Sequence, residues 1–510
     1  MTENKVSHFF RALSWIKANT IDGKGIAVTS KKQVIYPEVT GYYIPSLLQW
    51  GERELALSYA RHLCSIQKED GSWYDSEDNA PYVFDSAQIL KGLIAARELL
   101  PEVDAHIVRG CDWILSNMQP DGRLVTPSKD AWGPNEDFCS ELIHIYCLSP
   151  IRDVGVLFGK PEYLEATKRI LAYYKTNKLD KIENFSLLSH FYAYVMEGLF
   201  DLGEVDLCRK SMERLEKYRN RKGAIPGLKD VPWLCSTGLF QLALVWYKLG
   251  ELEKGNSLFY NALKLQNESG GWYGSYPAPG LLARFHRGRK VPCYFPDAEI
   301  SWACKYFLDA LALKEKLEFE KQAPTFCESI DENDGRYALV RKIVADAANS
   351  TETRATVCDV GCGKGRYLKR LVHDCPEADY YATDISERVM ASVDIAKEKH
   401  VCGMTDISYG DAAFDVVYAC ESFEHAIHQQ AAFRELYRIA KPGGKIVIVD
   451  KPVEKLGALE IYEWERWIAD EEISAYADEC GGTLEIVKSV PYDARDDGLF
   501  RAWIVTKRPL

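Results

Sequence analysis

No unbroken apolar stretch of transmembrane length occurs among the 510 residues, so no membrane-spanning helix is expected. A basic tract is also absent, and the net charge of −12 argues against a nucleic-acid partner. The opening residues, MTENKVSHFF, lack a cationic flank followed by an apolar run, so no secretory signal peptide is expected. There is no CxxC pair, and the 15 cysteines are scattered singly, mostly in apolar helical contexts. That usage offers no zinc spacing and fits reduced, buried thiols in the cytoplasm. What is present is 47% hydrophobic and 12% aromatic content, on a length that can bury two or more cores.

The stretch from Ala355 to Gly365, ATVCDVGCGKG, organises the C-terminal part. Thr356, Val357, Cys358 and Val360 suit a buried parallel strand. Gly361, Gly363 and Gly365 let the backbone turn tightly and approach a ligand with no Cβ in the way. From Lys364 the spacing of Tyr367, Leu368, Leu371 and Val372 is helical. About twenty residues on, YYATDIS reads as a second strand ending at Asp384, whose carboxylate can accept hydrogen bonds from a ribose diol. Strand, glycine loop and helix with an acid at the next strand end open a nucleotide-binding α/β domain.

DVGCGKG, ATDIS, FDVVYACESFEHA and IAKPGGKIVIVDK follow one another at usable spacing. Together they resemble the class I S-adenosylmethionine-dependent methyltransferases over residues 331–510. The resemblance implies a Rossmann-like α/β domain with a seven-stranded, mostly parallel sheet and S-adenosylmethionine as cofactor. Carried onto this sequence, it assigns cofactor binding to Asp359, Gly361, Cys362, Gly363 and Gly365 in the first loop. Asp384 and Ile385 follow the second strand, Met404 and Thr405 stand by the adenine, and Cys420 and Glu421 end the fourth strand. Arg336 and Tyr337 are further candidates for the methionine carboxylate. His425 is suited to deprotonating an acceptor hydroxyl near neutral pH, with Glu424 and Glu421 as the other candidates; the same E-H pair can instead only shape its loop. His425 and His428 with Glu421 or Asp450 have a spacing that can hold a divalent metal, but nothing else selects for one and no metal is expected. Helices are expected over Glu387–Lys399, Ala431–Ala440 and Ala458–Cys480, a third strand around Val401–Met404, and a closing antiparallel pair at Thr483–Val490 and Leu499–Val505.

The first three-fifths repeats at roughly 50 residues. Amphipathic helices are expected at Ser7–Ala18, Arg53–Ile66, Asp104–Met118, Glu162–Tyr174, Glu204–Tyr218 and Glu251–Leu265. Each is followed by a helix that is apolar all round and therefore buried: Val39–Trp50, Phe84–Leu99, Phe138–Leu148, Phe185–Leu202, Trp233–Leu249 and Ala298–Leu313. The junctions QKEDGSW, QPDGRL, QNESGGW and, more loosely, RKGAIPG recur between them. This pattern is similar to the (α/α)6 toroids of terpenoid cyclases, protein prenyltransferases and glycan-processing enzymes; a straight solenoid is the alternative. DxDD and DDxxD are absent, so terpene-cyclase chemistry is not supported. The expected architecture is an all-α (α/α)6 toroid at residues 1–318, a linker at 319–330, and the α/β methyltransferase domain at 331–510.

In such a ring the N-terminal ends of the inner helices converge on a cavity. Those ends and the loops before them carry Glu38, Tyr42, Asp85, Gln88, Asp137, Glu141, His190, Asp297 and Glu299, with Trp132, Trp233 and Trp272. Carboxylates that accept hydroxyl hydrogen bonds beside flat aromatic faces suit a sugar. The same acids also serve as helix caps and dipole partners.

The expectation is a cytoplasmic methyltransferase acting on a hydroxyl or carboxylate of a saccharide or glycan precursor held by the toroid. Two alternatives stay open: a bifunctional enzyme whose toroid hydrolyses, epimerises or lyses a glycan, and a toroid that is only a binding or oligomerisation module.

Overall fold

In the computed structural model, which describes residues 5–127, 139–277 and 293–509, the ATVCDV run is strand β1, Ala355–Val360. The other strands of its sheet are β2 Ala378–Asp384, β3 Glu398–Val401, β4 Phe414–Cys420, β5 Ala440–Asp450, β6 Thr483–Val487 and β7 Arg501–Thr506. The order is β6-β7-β5-β4-β1-β2-β3. Strands β1 to β5 run parallel, and β7 lies antiparallel to both β5 and β6. After β1 the chain moves outward to β2 and later returns to the opposite side of β1 at β4. That reversal opens a crevice at the C-terminal ends of β1, β2 and β4, where open α/β sheets take ligands.

Both faces of the sheet are covered. Val357, Ala382, Val416 and Val447 pack with Tyr337, Leu368 and Leu371 on one face. Val360, Val417, Ile446 and Ile448 pack with Phe433, Leu436, Ile439 and Ile473 on the other. Burial on two sides is why residues 416–420 of β4 and 446–449 of β5 read as continuous apolar runs rather than alternating ones.

Several element boundaries differ from expectation. The helix after β2 is one turn, Glu387–Met390, and β3 starts before the expected remnant, at Glu398. The expected helix Ala458–Cys480 is helical only over Asp470–Cys480. Its first half is instead an exposed run, with Leu459 and Tyr462 in solvent, followed by a buried one that carries Trp464, Trp467 and Ile468. The last N-terminal helix does not stop near Glu318 but runs Ser301–Gln322 and continues as a 3-10 turn, Ala323–Thr325.

By contact the chain divides into two units: Met1–Ser7, Gln49–Glu52 and Lys316–Leu510 in one, His8–Leu48 and Arg53–Glu315 in the other. The second unit is mostly helical. All six expected amphipathic helices form: Val6–Ala18, Arg53–Ile66, Asp104–Ser116, Pro161–Asn177, Val205–Leu215 and Leu252–Leu263. Five of the apolar ones form as α-helices: Pro37–Gln49, Val83–Ala96, Ser189–Asp201, Ser236–Lys248 and Ser301–Gln322. The third is a correction. Glu141–Cys147 winds as a 3-10 helix, and the α-helix begins only at Leu148 and ends at Leu157.

The junctions make a circuit of contacts from one amphipathic helix to the next. Thr20 Oγ1 meets Tyr59 Oη at 2.6 Å. Gln67 Nε2 donates to His106 O at 3.0 Å, and Arg109 Nη2 donates to Gln67 Oε1 at 2.8 Å. Arg169 Nη2 donates to Pro120 O at 3.0 Å. Lys210 and Arg214 each pair with Glu183 at 2.6 Å. Asn261 Nδ2 donates to Lys222 O at 2.9 Å. The sixth junction meets the first helix: Gln266 Nε2 donates to His8 O at 3.0 Å, and Arg11 Nη2 donates to Gln266 Oε1 at 2.8 Å. Between apolar helices, Tyr43 Oη donates to Ser301 O at 2.5 Å, which joins the first to the sixth.

Candidate active site

The glycine loop after β1 is held by β2. Gly361 N and Cys362 N both donate to Thr383 O, at 2.8 and 3.0 Å. Gly363 N donates to Asp384 Oδ2 at 2.9 Å, and Ser386 N donates to Asp384 Oδ1 at 3.0 Å. Gly361 is the position that only glycine fits. Its φ is +75°, and a Cβ there would stand 2.5 Å from Ser422 Cβ on the loop after β4. Each Asp384 oxygen keeps a second lone pair after these backbone bonds. Partial burial raises its carboxyl, and the backbone donors oppose that shift.

Asp359, at the end of β1, is buried, and its Oδ2 has no hydrogen-bond partner. Burial pushes its carboxyl up to about 7. An orphaned acceptor beside a glycine loop calls for a donor, above all a cationic one. Cys362 and Cys420 are buried in the same crevice, where burial keeps both thiols protonated. Ile385 follows Asp384 on the chain and is part-exposed. The Met404 methyl comes 3.6 Å from the place a Cβ on Gly361 would occupy. Thr405 donates its hydroxyl to Gln49 O at 2.6 Å, so that side chain is engaged.

Glu421 ends β4 in the left-handed region, at φ +54°. Its Oε1 accepts from Arg336 Nη1 at 2.8 Å and from Arg366 Nη2. Two guanidiniums on one carboxylate suit it to binding and anchoring rather than to taking a proton. Arg366 was not singled out from the sequence, although it follows Gly365 directly.

Beyond Glu421, Phe423–His425 forms a 3-10 turn. Glu424 is buried; Lys451 Nζ donates to its Oε1, and its backbone N donates to Asp450 Oδ2 at 3.0 Å. Burial raises both the Glu424 and Asp450 carboxyls. His425 stands with Nε2 3.7 Å from Glu424 Oε1 and its side chain a quarter exposed. Burial lowers its pKa, opposed by the Glu465 and Asp450 charges. A neutral, reachable imidazole at the crevice can accept a proton. His428 instead caps the helix Gln429–Ile439, accepting at Nδ1 from Ala431 N at 3.3 Å. Among the described residues no cluster of three or more His, Cys, Asp or Glu side chains is placed to hold a metal ion.

The candidate acceptor residues of the N-terminal unit sort into two groups. Glu141 is fixed by Arg123 at 2.6 Å, and Asp297 is exposed and paired with Lys31 at 2.5 Å. Glu299 accepts from Trp15 Nε1 at 2.7 Å and Asn267 Nδ2 at 2.7 Å. Trp272 is core, donating to Ala262 O at 2.9 Å, and Trp233 is buried against Gly227. Glu38, Asp85 and His190, by contrast, are buried in one region. Asp85 feels the Glu38 charge, and the Tyr194 ring lies 4.4 Å from His190 and within electrostatic reach of Glu38. Trp132 and Asp137 lie outside the described residues. The structure adds Tyr194, Tyr294, Tyr306 and Lys305 to this region. They sit within or before helices rather than at the N-terminal ends that the repeat pattern pointed to.

Residues 358–448, which run from β1 through most of β5, match the family model described as a methyltransferase domain. The chain carries an S-adenosylmethionine-dependent methyltransferase domain. Among curated relatives it is 27% identical over 121 residues to the ubiquinone/menaquinone biosynthesis C-methyltransferase UbiE of Cupriavidus taiwanensis, covering 21% of this chain and 49% of that protein. It is 28% identical over 106 residues to the O-methyltransferase cnsE of Penicillium expansum, covering 18% and 37%. The chain thus spans about half or less of the length of these relatives. A solved S-adenosylmethionine-dependent methyltransferase from Mesorhizobium loti aligns at 14% identity and a TM-score of 0.29, over 34% of this chain and 99% of that one.

The residues of the crevice fit the cofactor this domain implies. The orphaned Asp359 oxygen suits its ammonium, Asp384 with free lone pairs suits a ribose diol, and the open side of Gly363, where a Cβ would meet nothing within 4 Å, leaves room beside the backbone.

Proposed function

We propose that the chain methylates a hydroxyl or carboxylate of a saccharide or glycan precursor, with residues 331–510 holding S-adenosylmethionine and residues 1–318 presenting the acceptor from a closed (α/α)6 ring. The observation that carries the first half is the cradle of Gly363 N on Asp384 beside the unpartnered Asp359 oxygen, inside the segment matched as a methyltransferase domain. Ring closure is supported by the junction circuit, in which Gln266 returns to His8 and Arg11 as Gln67 goes to His106 and Arg109. The saccharide reading is supported by buried carboxylates among tyrosine faces.

When bound, the cofactor supplies an electrophilic sulfonium methyl. The chain aligns and prepares the acceptor. His425 accepts the proton of an acceptor hydroxyl at its ring nitrogen, and Lys451 and Asp450 fix Glu424, the residue before it. A carboxylate acceptor needs no such base. Glu421, held by Arg336 and Arg366, keeps the crevice wall in place.

The test uses methyl-labelled cofactor with saccharide fractions and the full chain. Label should enter the acceptor, and Asp384→Ala should weaken cofactor binding by about 1–3 kcal/mol through lost hydrogen bonds to a charged group. Unchanged cofactor affinity in that variant removes the cofactor assignment. Tight cofactor binding with no labelled saccharide removes the acceptor.

A further inference from the structure

Among the described residues inside the N-terminal unit, the buried cations and anions do not pair off one to one. Lys305 is committed to Asp309 at 2.6 Å, and Lys248 to Glu197 at 3.0 Å and Asp201 at 2.7 Å. Lys91 stands over the face of Tyr146. Glu38 and Asp85 remain, each nine-tenths buried, with no Lys, Arg or His at ion-pair distance among the described residues. The Tyr36 hydroxyl stands beside Glu38, and the Lys305 charge reaches it from beyond ion-pair distance.

A second observation points to a missing donor. Gln88 lies one turn beyond Asp85 on the helix Val83–Ala96, on the same face. Its Nε2 donates back to Phe84 O at 3.2 Å, which turns the amide toward the Asp85 end of the helix. Its Oε1, wholly buried, has no partner. One region thus holds an amide oxygen without a donor and two buried carboxylates without a cation at ion-pair distance among the described residues. Around them stand the rings of Tyr42, Tyr194 and Tyr294, all buried and all within electrostatic reach of Glu38. Ring faces carry negative charge and attract cations.

We infer that the interior of the N-terminal unit binds an organic ammonium group, as an amino sugar carries, between Glu38, Asp85 and the Gln88 oxygen, with the Tyr42, Tyr194 and Tyr294 rings around it. An ammonium supplies N–H donors to all three acceptors and charge to both carboxylates. A neutral sugar supplies only the donors, and an anion meets repulsion. Burial raises the Glu38 carboxyl to about 7 and the Asp85 carboxyl well above its ordinary range, with the Glu38 charge the next cause for Asp85. One bound cation relieves both. This rests on the reading of residues 1–318 as the acceptor-presenting part, and it narrows that acceptor to an amino-bearing one.

Calorimetry on the full chain, with glucosamine as the cationic probe and N-acetylglucosamine as its neutral counterpart, tests this directly. Glucosamine should bind at least about tenfold more tightly, the scale of a desolvated cation over aromatic rings. Glu38→Gln and Asp85→Asn should each remove most of that preference while leaving binding of S-adenosylhomocysteine unchanged. Equal affinity for the two sugars, no saturable glucosamine binding, or retained preference in variants with wild-type melting temperature would each overturn the assignment. Should either variant melt early, Gln88→Met removes the acceptor oxygen at similar volume and carries the same expectation. Intact S-adenosylhomocysteine binding in those outcomes leaves the methyltransferase reading standing; its absence in the wild type fails that reading alone.

Discussion

Asp359 and His425 carry opposite pH signatures because burial acts on them in opposite senses. Asp359 is raised to about 7 in the folded chain, against about 4 when unfolded. Between those values the folded state binds the extra proton, so its contribution to stability is present at low pH and is lost as pH rises toward 7. Asp359→Asn should therefore raise the melting temperature of the ligand-free protein at pH 8 and much less at pH 5, while weakening cofactor affinity at both. A variant that melts like wild type at pH 8 would mean that the carboxyl is not a buried liability. His425 is lowered by burial, so its neutral, proton-accepting form persists below the ordinary imidazole value of about 6.5. If it is the base, the acid limb of kcat falls below that value, and His425→Ala loses about 10²–10⁴-fold in kcat with cofactor affinity intact. A fully active, stable His425→Ala enzyme would move the search to Glu424 and Asp450. Asp384, Asp359 and His425 were legible in the sequence because each stands at or soon after the C-terminal end of a strand. Arg366 and Lys451 were not: their importance lies in reaching Glu421 and Glu424, and such pairings leave no local pattern.

At the scale of elements, the loop after β1 depends on one close approach. Gly361 and Gly363 both have positive φ, +75° and +55°, but only Gly361 faces a neighbour, Ser422. Alanine at either position costs about 1 kcal/mol for the backbone. At Gly361 it adds overpacking of about 1–3 kcal/mol, because Ser422 is itself tied to Val360 O at 2.9 Å. Gly361→Ala should thus melt earlier than Gly363→Ala and bind S-adenosylhomocysteine more weakly. Equal melting temperatures would mean that the β4 loop moves aside freely. The strands and the loop were readable because buried parallel strands are continuous apolar runs. The region after β5 was not: Ala458–Cys480 has enough apolar residues at helical spacing to pass for one helix. Its first half instead passes from exposed Leu459 and Tyr462 to buried Trp464 and Trp467, and it is tied down by the pairing of Pro452 with Ile468. Glu141–Cys147 failed for a related reason. Its apolar content gave burial correctly, and burial does not distinguish a 3-10 from an α winding.

At the scale of the whole chain, the repeat predicted six helical hairpins, and the N-terminal unit holds all six amphipathic helices and five of the six apolar ones, the third winding as a 3-10 helix over Glu141–Cys147. What repetition in sequence leaves open is whether the last hairpin meets the first, since an open array and a ring carry the same pattern. Two junctions make the question measurable, because they are chemically alike. Gln67 accepts from Arg109 and donates to His106 O; Gln266 accepts from Arg11 and donates to His8 O. The first joins neighbours in sequence, and the second joins helices about 250 residues apart. In a closed ring both amides stand in like, part-buried settings, so Gln67→Ala and Gln266→Ala should destabilise by similar amounts, about 0.5–1.5 kcal/mol each from the lost hydrogen bonds. In an open array the Gln266 contact would be a transient one between two ends, and its loss would cost almost nothing. Hydrogen exchange locates the effect: Gln266→Ala should speed exchange in Val6–Ala18 as Gln67→Ala speeds it in Asp104–Ser116. Exchange in Val6–Ala18 that is already fast in the wild type, and unchanged in Gln266→Ala, would open the ring. It would also remove the enclosure on which the proposed acceptor capture by the N-terminal unit depends, since acids such as Glu38 and Asp85 would bind a ligand strongly only when shielded from bulk water.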